Sequence, residues 1–370
     1  MQCALDLAPR GRGMVEPNPT VGAVIVRDGA VIGEGWHRHY GGPHAEVEAI
    51  AAARRAGHDP RGATLYVTLE PCCHRGKTPP CTEAIAAAGI ARVVAAMEDP
   101  DPNVWGKGFA ALRSAGVEVV TGVLAGPARR MLAAYLKLRT VGRPWVVCKW
   151  AQSLDGKIAT HTGHSRWITG EPARRRAHEL RGLCDGVCVG VGTVASDDPL
   201  LTNRSGGGRQ PARVVLDESL RTPLTCRLVG SSEVSPVIVA TRDDAASAAA
   251  EALSGAGAEV LRLPGAPAGV DLEALLDALG RRGWTRLLVE GGRGVLGSFI
   301  GGGLADELAV FVAPCLIGGR RSIGPVQWED IETVDQAVRL PDPQVERIGR
   351  DVLLRYVLNE PPDGPEVKGT

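Results

Sequence analysis

The chain has 370 residues and equal numbers of acidic and basic side chains, 42 of each, for a formal net charge of +0. That length suggests two domains or one large one, and that balance excludes the basic footprint of a nucleic-acid or acidic-membrane binder. No apolar run reaches the roughly 18 residues of a membrane helix and no signal peptide is expected; nine cysteines, odd in number and mostly isolated in apolar stretches, point to a reducing, cytoplasmic setting.

The first segment, QCALDLAPRGRG, reads as a short helix that stops at glycine. Two strands follow, joined at Asp28-Gly29, a strong hairpin signal. Asn18 stands between two prolines in a stiff loop, which either aims its amide at a ligand or is only a turn. HAEVEAIAAARRAG is helical, apolar at Val47, Ile50 and Ala51, with Gly57 as its stop. ATLYVTL reads as a buried strand ending at Glu70, and TPPCTEAIAAAG as a helix with Cys81 at its start and Gly89 at its end. ARVVAAM is a strand, KGFAALRSAG a helix and VEVVTGV a strand; a helical stretch from about Ala128 ends at Gly142-Arg143-Pro144, which suits a linker. The first region is therefore expected to be a sheet sandwiched by helices. Cys3, Cys148, Cys226 and Cys315 read as packing residues.

Beyond the junction, WVVCKWAQS, DGVCVG, ARVVLD, VIVATR, AEVLRL, RLLVE and ELAVFVAP are strand-like. EPARRRAHELRG, DLEALLDALGRRG and GVLGSFIGG are helix-like, and the alternation predicts a mainly parallel sheet. The pairs Gly190/Gly192 and Gly291/Gly292 each follow a strand, where such sheets hold phosphates. Alone they are weak: Gly-x-Gly is more often a turn, and no third glycine or following helix completes the dinucleotide fingerprint. Asp197-Asp198-Pro199 reads as an acidic turn in preference to a metal site, and NEPPDGPEVKGT as a disordered tail from residue 359.

The chemistry concentrates between His44 and Cys81. One imidazole and two thiols, each preceded by proline, suit Zn²⁺ with a fourth position open for water. Glu46 is then a proton shuttle. His-x-Glu followed by Pro-Cys is the signature of zinc-dependent nucleobase deaminases, although Cys81 follows Cys72 by nine positions where the signature has three. Cys81 at a helix start gains thiolate stabilisation. The alternative is a closed structural site with Cys73 or His74 as fourth ligand, which does not require Glu46.

PNPTVGAVIV, GEGWH, GGPHAEV, ATLYVTLEPC, CHRGKTPPC and DPDPNVWGKG together resemble the deaminase half of the bifunctional deaminase/reductase family of riboflavin biosynthesis. KWAQSLDGKIA, SRWIT, GTVASDDPLLTNR, ARVVLD and LVEGG resemble its reductase half, which is similar to dihydrofolate reductase and uses NADPH. The resemblance covers the chain to about residue 358. It implies a cytidine-deaminase-like three-layer α/β/α domain over 1–143 and a dihydrofolate-reductase-like α/β domain over 144–358. It implies zinc on His44, Cys72 and Cys81, Glu46 as proton shuttle, and Asn18, His37, His74 and Lys77 near the pyrimidine or the ribose phosphate. In the second half it implies Lys149, Ser165, Arg181, Leu201, Arg204 and Glu290 on the substrate side, Lys149 and Glu290 nearest the reacting carbon. Ala151, Trp167, Thr169, Thr193 and Asp197 would line the cofactor, with Gly291 and Gly292 near its phosphates. His74, Lys77, Arg181 and Arg204 suit phosphate because they donate charge-assisted hydrogen bonds.

Three positions depart from the family pattern: Cys73 and Glu218 where serine is usual, and Asp101 where asparagine is frequent. The implied function is zinc-dependent deamination of 2,5-diamino-6-ribosylamino-4(3H)-pyrimidinone 5′-phosphate, then NADPH-dependent reduction of its ribosyl group to ribityl. The implied partners are that small phosphorylated pyrimidine and further copies of the chain, as a dimer through the reductase domain or larger, with no nucleic acid and no membrane. The rivals are a nucleoside or tRNA zinc deaminase with an unrelated appendage, and a non-catalytic zinc-fold ligand-binding protein. Neutral charge counts against the first and Glu46 against the second.

Overall fold

Asp28 and Gly29 both take positive φ, 51° and 79°, in a computed structural model that describes residues 1–266 and 269–362. That is the geometry of the tight turn their sequence predicts. The turn joins β1 (Gly22–Arg27) to β2 (Ala30–Trp36) in antiparallel register. The chain forms two compact units, Met1–Gly142 and Arg143–Asn359, with residues 360–362 grouped with the first. The expected tail lies, over residues 363–370, outside the described residues.

In the first unit, α1 (Gln2–Leu7) leads into the hairpin, followed by α2 (Ala45–Arg55), β3 (Thr64–Val67), α3 (Cys81–Ala87) and β4 (Arg92–Ala95). Then come α4 (Lys107–Ser114), β5 (Glu118–Val120) and α5 (Ala125–Val141). The sheet order is β2-β1-β3-β4-β5, with β3, β4 and β5 parallel. Ile25, Leu65, Val67, Ile85, Phe109 and Leu136 are among the residues of its core.

Helix α2 sits unusually close to β2. A Cβ at Gly33 or Gly35 would come within 2.4 or 2.3 Å of the Ala49 or Ala45 carbonyl oxygen, so only glycine permits the approach. The buried face of α2 is built on Ala45, Ala49, Ile50 and Ala53, so Ile50 lies as expected while Val47 and Ala51 are only half-buried. Strand β3 is also shorter than expected. It stops at Val67, and beyond its end Glu70 turns inward and accepts hydrogen bonds from the backbone N–H groups of Asp99, Gly106 and Phe109.

The second unit runs β6 (Trp145–Ser153), α6 (Glu171–Gly182), β7 (Gly186–Gly190), α7 (Val191–Asp197), β8 (Ala212–Leu216) and β9 (Val237–Arg242). It continues with α8 (Ser247–Gly255), β10 (Glu259–Leu263), the short pair β11 (Gly265–Ala266) and β12 (Gly269–Val270), α9 (Leu272–Arg281) and β13 (Arg286–Gly291). It ends with α10 (Arg293–Gly301), β14 (Glu307–Ala313), β15 (Gln344–Ile348) and β16 (Asp351–Val357). The nine-stranded sheet has the order β10-β9-β8-β7-β13-β6-β14-β16-β15. It is parallel from β10 to β14, and only β16 and β15 pair antiparallel.

Several features differ from expectation. A helix does follow Gly190-x-Gly192: α7 begins at Val191. The Asp197-Asp198-Pro199 turn caps it, with Asp198 at φ 41° and its carboxylate accepting from the Arg227 N–H at 2.8 Å. Helix α8 and the β15–β16 hairpin were not legible, β15 because its exposed, charged edge sequence lacks the apolar alternation of a half-buried strand. Cys148 and Cys226 are buried as expected, but Cys3 and Cys315 are exposed and pack no core.

Candidate active sites

His44 caps α2 with an extended backbone, and Cys81 opens α3, so two helix starts bring an imidazole and a thiol face to face. His44 Nδ1 lies 3.2 Å from Cys81 Sγ and 3.5 Å from Cys72 Sγ. The three ligand atoms all fall within 4.8 Å of one another, the only such His/Cys/Asp/Glu group among the described residues. Ligands on one tetrahedral zinc are about 3.5 Å apart for bonds of roughly 2.0–2.3 Å, so the donor set fits. The Cys81 backbone N–H also points at Cys72 Sγ, at 3.4 Å. Hydrogen bonding from Cys81 draws the Cys72 thiol down to about 4, while its partnership with Cys72 and burial push Cys81 well up. A divalent cation bound here would displace the protons of both thiols. Cys73 is outside this group: its thiol faces the Asn103 carbonyl at 3.7 Å.

Glu46, in the first turn of α2, is 3% exposed, and burial raises it to about 7. It lines a cavity of about 300 Å³ together with Asn18, His37, His44, Cys72, His74 and Lys77. Asn18 Nδ2 meets His37 Nε2 at 3.3 Å, and His37 Nδ1 faces the Pro43 carbonyl at 2.9 Å, which fixes the ring. Burial lowers the His37 pKa, so its imidazole stays neutral. Lys77 Nζ stands 3.9 Å over the Tyr40 ring.

The cavity also contains residues that sequence reasoning passed over: Tyr40, Glu70, Thr78, Asp99, Tyr135 and Arg139. Thr78 Oγ1 is 3.5 Å from His44 Nε2. Tyr135 donates to Asp99 at 2.8 Å, and burial raises Asp99 to about 6. Arg139 reaches the Asp101 carboxylate at 3.5 Å. The signal available was the i, i+4 spacing of Tyr135 and Arg139 on one face of α5, which says that they are neighbours but not what they face.

The second unit assembles a different group. Arg181, near the end of α6, forms a bidentate pair with Glu290 of β13, at 2.9 and 2.6 Å. The Glu290 side chain is 8% exposed. Burial opposes its charge, yet Arg181 and Lys149 hold it down at about 2. Lys149 of β6 is itself lowered by burial, against the attraction of Glu290. Arg181 and His178 both reach the Thr202 carbonyl, at 3.0 and 3.1 Å, and Arg204 meets His178 Nε2 at 3.2 Å. His178 was missed, although its i, i+3 spacing to Arg181 places both on one helix face. Leu201 lies beside them with φ 55°. Ser165 makes no side-chain hydrogen bond among the described residues, so nothing ties it to this cluster.

Among the expected cofactor residues, Gly292 caps α10, and a Cβ there would lie 3.4 Å from Thr193 Oγ1. Gly291 has φ 140°, which L side chains rarely adopt. These glycines cluster at the carboxyl ends of parallel strands, the cradle a pyrophosphate needs. Arg174 lies 4.5 Å over the Trp167 ring and donates to the Thr169 carbonyl, and Arg166 donates to the Asp197 carbonyl. Ala151 pairs with Phe311 across β6 and β14.

Known proteins fall on the same two units. Residues 1–97 match the cytidine and deoxycytidylate deaminase zinc-binding region, and residues 144–354 match the RibD C-terminal domain. The riboflavin biosynthesis protein RibD of Actinobacillus pleuropneumoniae is 41% identical over 98% of this chain and 95% of its own. This chain belongs to the RibD family. The Aquifex aeolicus RibD is 43% identical, covering 96% of this chain and 97% of its own. Among solved structures, the deaminase/reductase of Thermotoga maritima superposes with a TM-score of 0.83 at 37% identity, and Acinetobacter baumannii RibD with 0.85 at 37%, each covering 97% of both chains. The fold is therefore the family's: a cytidine-deaminase-like unit and a RibD reductase unit, both mixed α/β. RibD proteins are bifunctional enzymes, and zinc and NADPH are the cofactors of the two activities. No helix of the described residues is long and apolar enough to cross a membrane.

Proposed function

We propose that residues 1–143 deaminate 2,5-diamino-6-ribosylamino-4(3H)-pyrimidinone 5′-phosphate and that residues 144–358 reduce the deaminated product to its ribityl form. The observation that carries the first half is the buried Glu46 beside the His44, Cys72 and Cys81 donor set, inside a cavity sized for a pyrimidine. Those three residues would hold zinc, which supplies Lewis-acid activation of water at neutral pH. Glu46 takes the proton from the attacking water and delivers it to the departing amino nitrogen, so that ammonia leaves and a carbonyl remains. Its burial favours the proton-carrying state the second transfer needs. Asn18 and His37 orient the ring, while Lys77 and His74, on the loop after Cys72, bind the ribose phosphate.

Gly291 and Gly292 would hold NADPH, which would supply the hydride for the second half. Glu290, ionised and pinned by Arg181, orients the opened ribosyl group by accepting its hydroxyl hydrogens. It cannot serve as proton donor near neutral pH, because it holds no proton there. Lys149, whose burial lowers its pKa, donates the proton to the ring oxygen as the sugar opens. Arg204 is placed with His178 for the phosphate, and Leu201 for apolar contact. Ala151, Trp167, Thr169, Thr193 and Asp197 flank the dinucleotide. We place the protein in the cytoplasm as a homo-oligomer; nine unpaired thiols support the reducing setting, and light scattering of the purified chain tests the assembly.

The decisive experiment follows ammonia release and NADPH oxidation on the diamino substrate. Ammonia without NADPH and ribityl product only with it are expected. Deamination of a tRNA or a free nucleoside instead would overturn the reading.

A further inference from the structure

We infer that Glu218 sets the dinucleotide preference of the reductase pocket, opening it to a cofactor whose adenosine ribose carries a free 2′-hydroxyl, so that NADH serves beside NADPH. The inference rests on the reductase reading above and concerns the far end of the same cofactor.

Strands β7 and β8 are parallel neighbours and end level, Gly190 opposite Leu216. From β7 the chain steps outward through β8, β9 and β10, then returns to β13 on the other side of β7. Ligands of open parallel sheets bind outside the strand ends at such a reversal. A cavity of about 840 Å³ lies there, lined by Gly190 and Gly192, by Gly294 and Ser298 of α10, and by Leu216, Glu218 and Arg221. The glycine side takes the pyrophosphate, which leaves the β8 side for the adenosine ribose. In dinucleotide sites the residue beyond the second strand reads the ribose: a carboxylate accepts from the 2′-hydroxyl, whereas a guanidinium matches a 2′-phosphate.

Here that residue is a carboxylate. The main chain at Glu218 is anchored, since Thr241 Oγ1 donates to its carbonyl at 3.1 Å. Its Oε2 would lie 3.2 Å from a Cβ at Gly269, and that glycine has φ 116°, so the carboxylate rests against a wall that only glycine provides. Among the described residues neither the Glu218 carboxylate nor the Arg221 guanidinium has a hydrogen bond or ion pair. The nearby cation Arg242 is engaged by Asp244 at 2.6 Å. A second carboxylate, Glu329, lines the cavity, which leaves Arg221 as its one lining cation among the described residues. A 2′-phosphate would bring a further charge of about −1.5 to −2 beside two carboxylates, whereas a hydroxyl would donate to Glu218.

The test is calorimetric binding to the intact, zinc-loaded protein, using NADH, NADPH, AMP and adenosine 2′,5′-bisphosphate, with no turnover involved. For the wild type the two dinucleotides are expected to bind within about tenfold of each other. Glu218→Ser and Glu218→Gln should each tighten NADPH and the bisphosphate by about fivefold, the scale of one like-charge contact at a partly exposed site, without tightening NADH or AMP. Arg221→Ala should weaken only the 2′-phosphorylated ligands. If both Glu218 variants bind all four ligands in the wild-type ratios, the assignment is wrong while the reductase reading stands. If no dinucleotide binds the wild type, the reductase reading falls and takes this inference with it.

Discussion

Glu46 and His44 stand two positions apart, yet their roles separate cleanly. The His44 ring nitrogen faces two sulfurs, while the Glu46 carboxyl is buried nearby without joining the metal-ligand group. Glu46→Gln keeps the size and leaves the donor set intact, so zinc content should be unchanged. Deaminase turnover should fall by roughly 10²–10⁴-fold, the contribution of a general acid–base. Metal analysis and ammonia assay of the same sample check both halves; full activity would remove Glu46 from the mechanism. The sulfurs give a parallel test. Cys72→Ser and Cys81→Ser should each lose zinc and deamination, while Cys73→Ser retains both, because the Cys73 thiol faces Asn103 instead of His44. Zinc loss in the Cys73 variant would reassign the ligand set.

At the level of elements, the link between α6 and β13 is the one most exposed to pH. Glu290 is buried, and Arg181 and Lys149 hold its carboxyl at about 2, against an ordinary value of 4.5. A group depressed on folding contributes stability that is fully present above its unfolded pKa and is lost as pH falls towards the folded one. The window is therefore about pH 4.5 down to 2, and the contribution is on the order of 3 kcal/mol. Denaturant midpoints of wild type and Glu290→Gln should differ most at pH 6, and the gap should shrink as pH falls through 4.5 towards 2. A gap that stays constant over that range would mean that Glu290 is not held ionised by its partners.

On the scale of the whole chain, the residues assigned to zinc chemistry all precede Gly142, and those assigned to hydride transfer all follow Arg143. Lys149→Ala should accordingly abolish NADPH oxidation while ammonia release continues, since the substrate is deaminated first and in the other unit. Both signals are read in parallel on one preparation, with zinc content as the control. Loss of both would mean that the two activities are coupled. Helix α5 ends on Gly142 at φ 77°, with Pro144 two residues further on.

What the amino-acid sequence determined by itself was local. His44, Glu46, Cys72 and Cys81 fall within 38 residues, and His44, Glu46 and Cys81 stand at helix starts. The Asp28-Gly29 turn and the alternation of strands and helices rest on the same short-range preferences. Other features were decided only by tertiary structure. The Glu70 carboxylate turns inward because its partners come from residues 99–109, and Arg139 enters the deaminase cavity because α5 packs back over it. Arg181 and Glu290 are 109 residues apart, and nothing in either neighbourhood says that one neutralises the other. That pairing depends on β13 inserting between β7 and β6. Helix periodicity and turn chemistry are properties of a few consecutive residues, whereas strand order is settled by burial summed over the whole sheet.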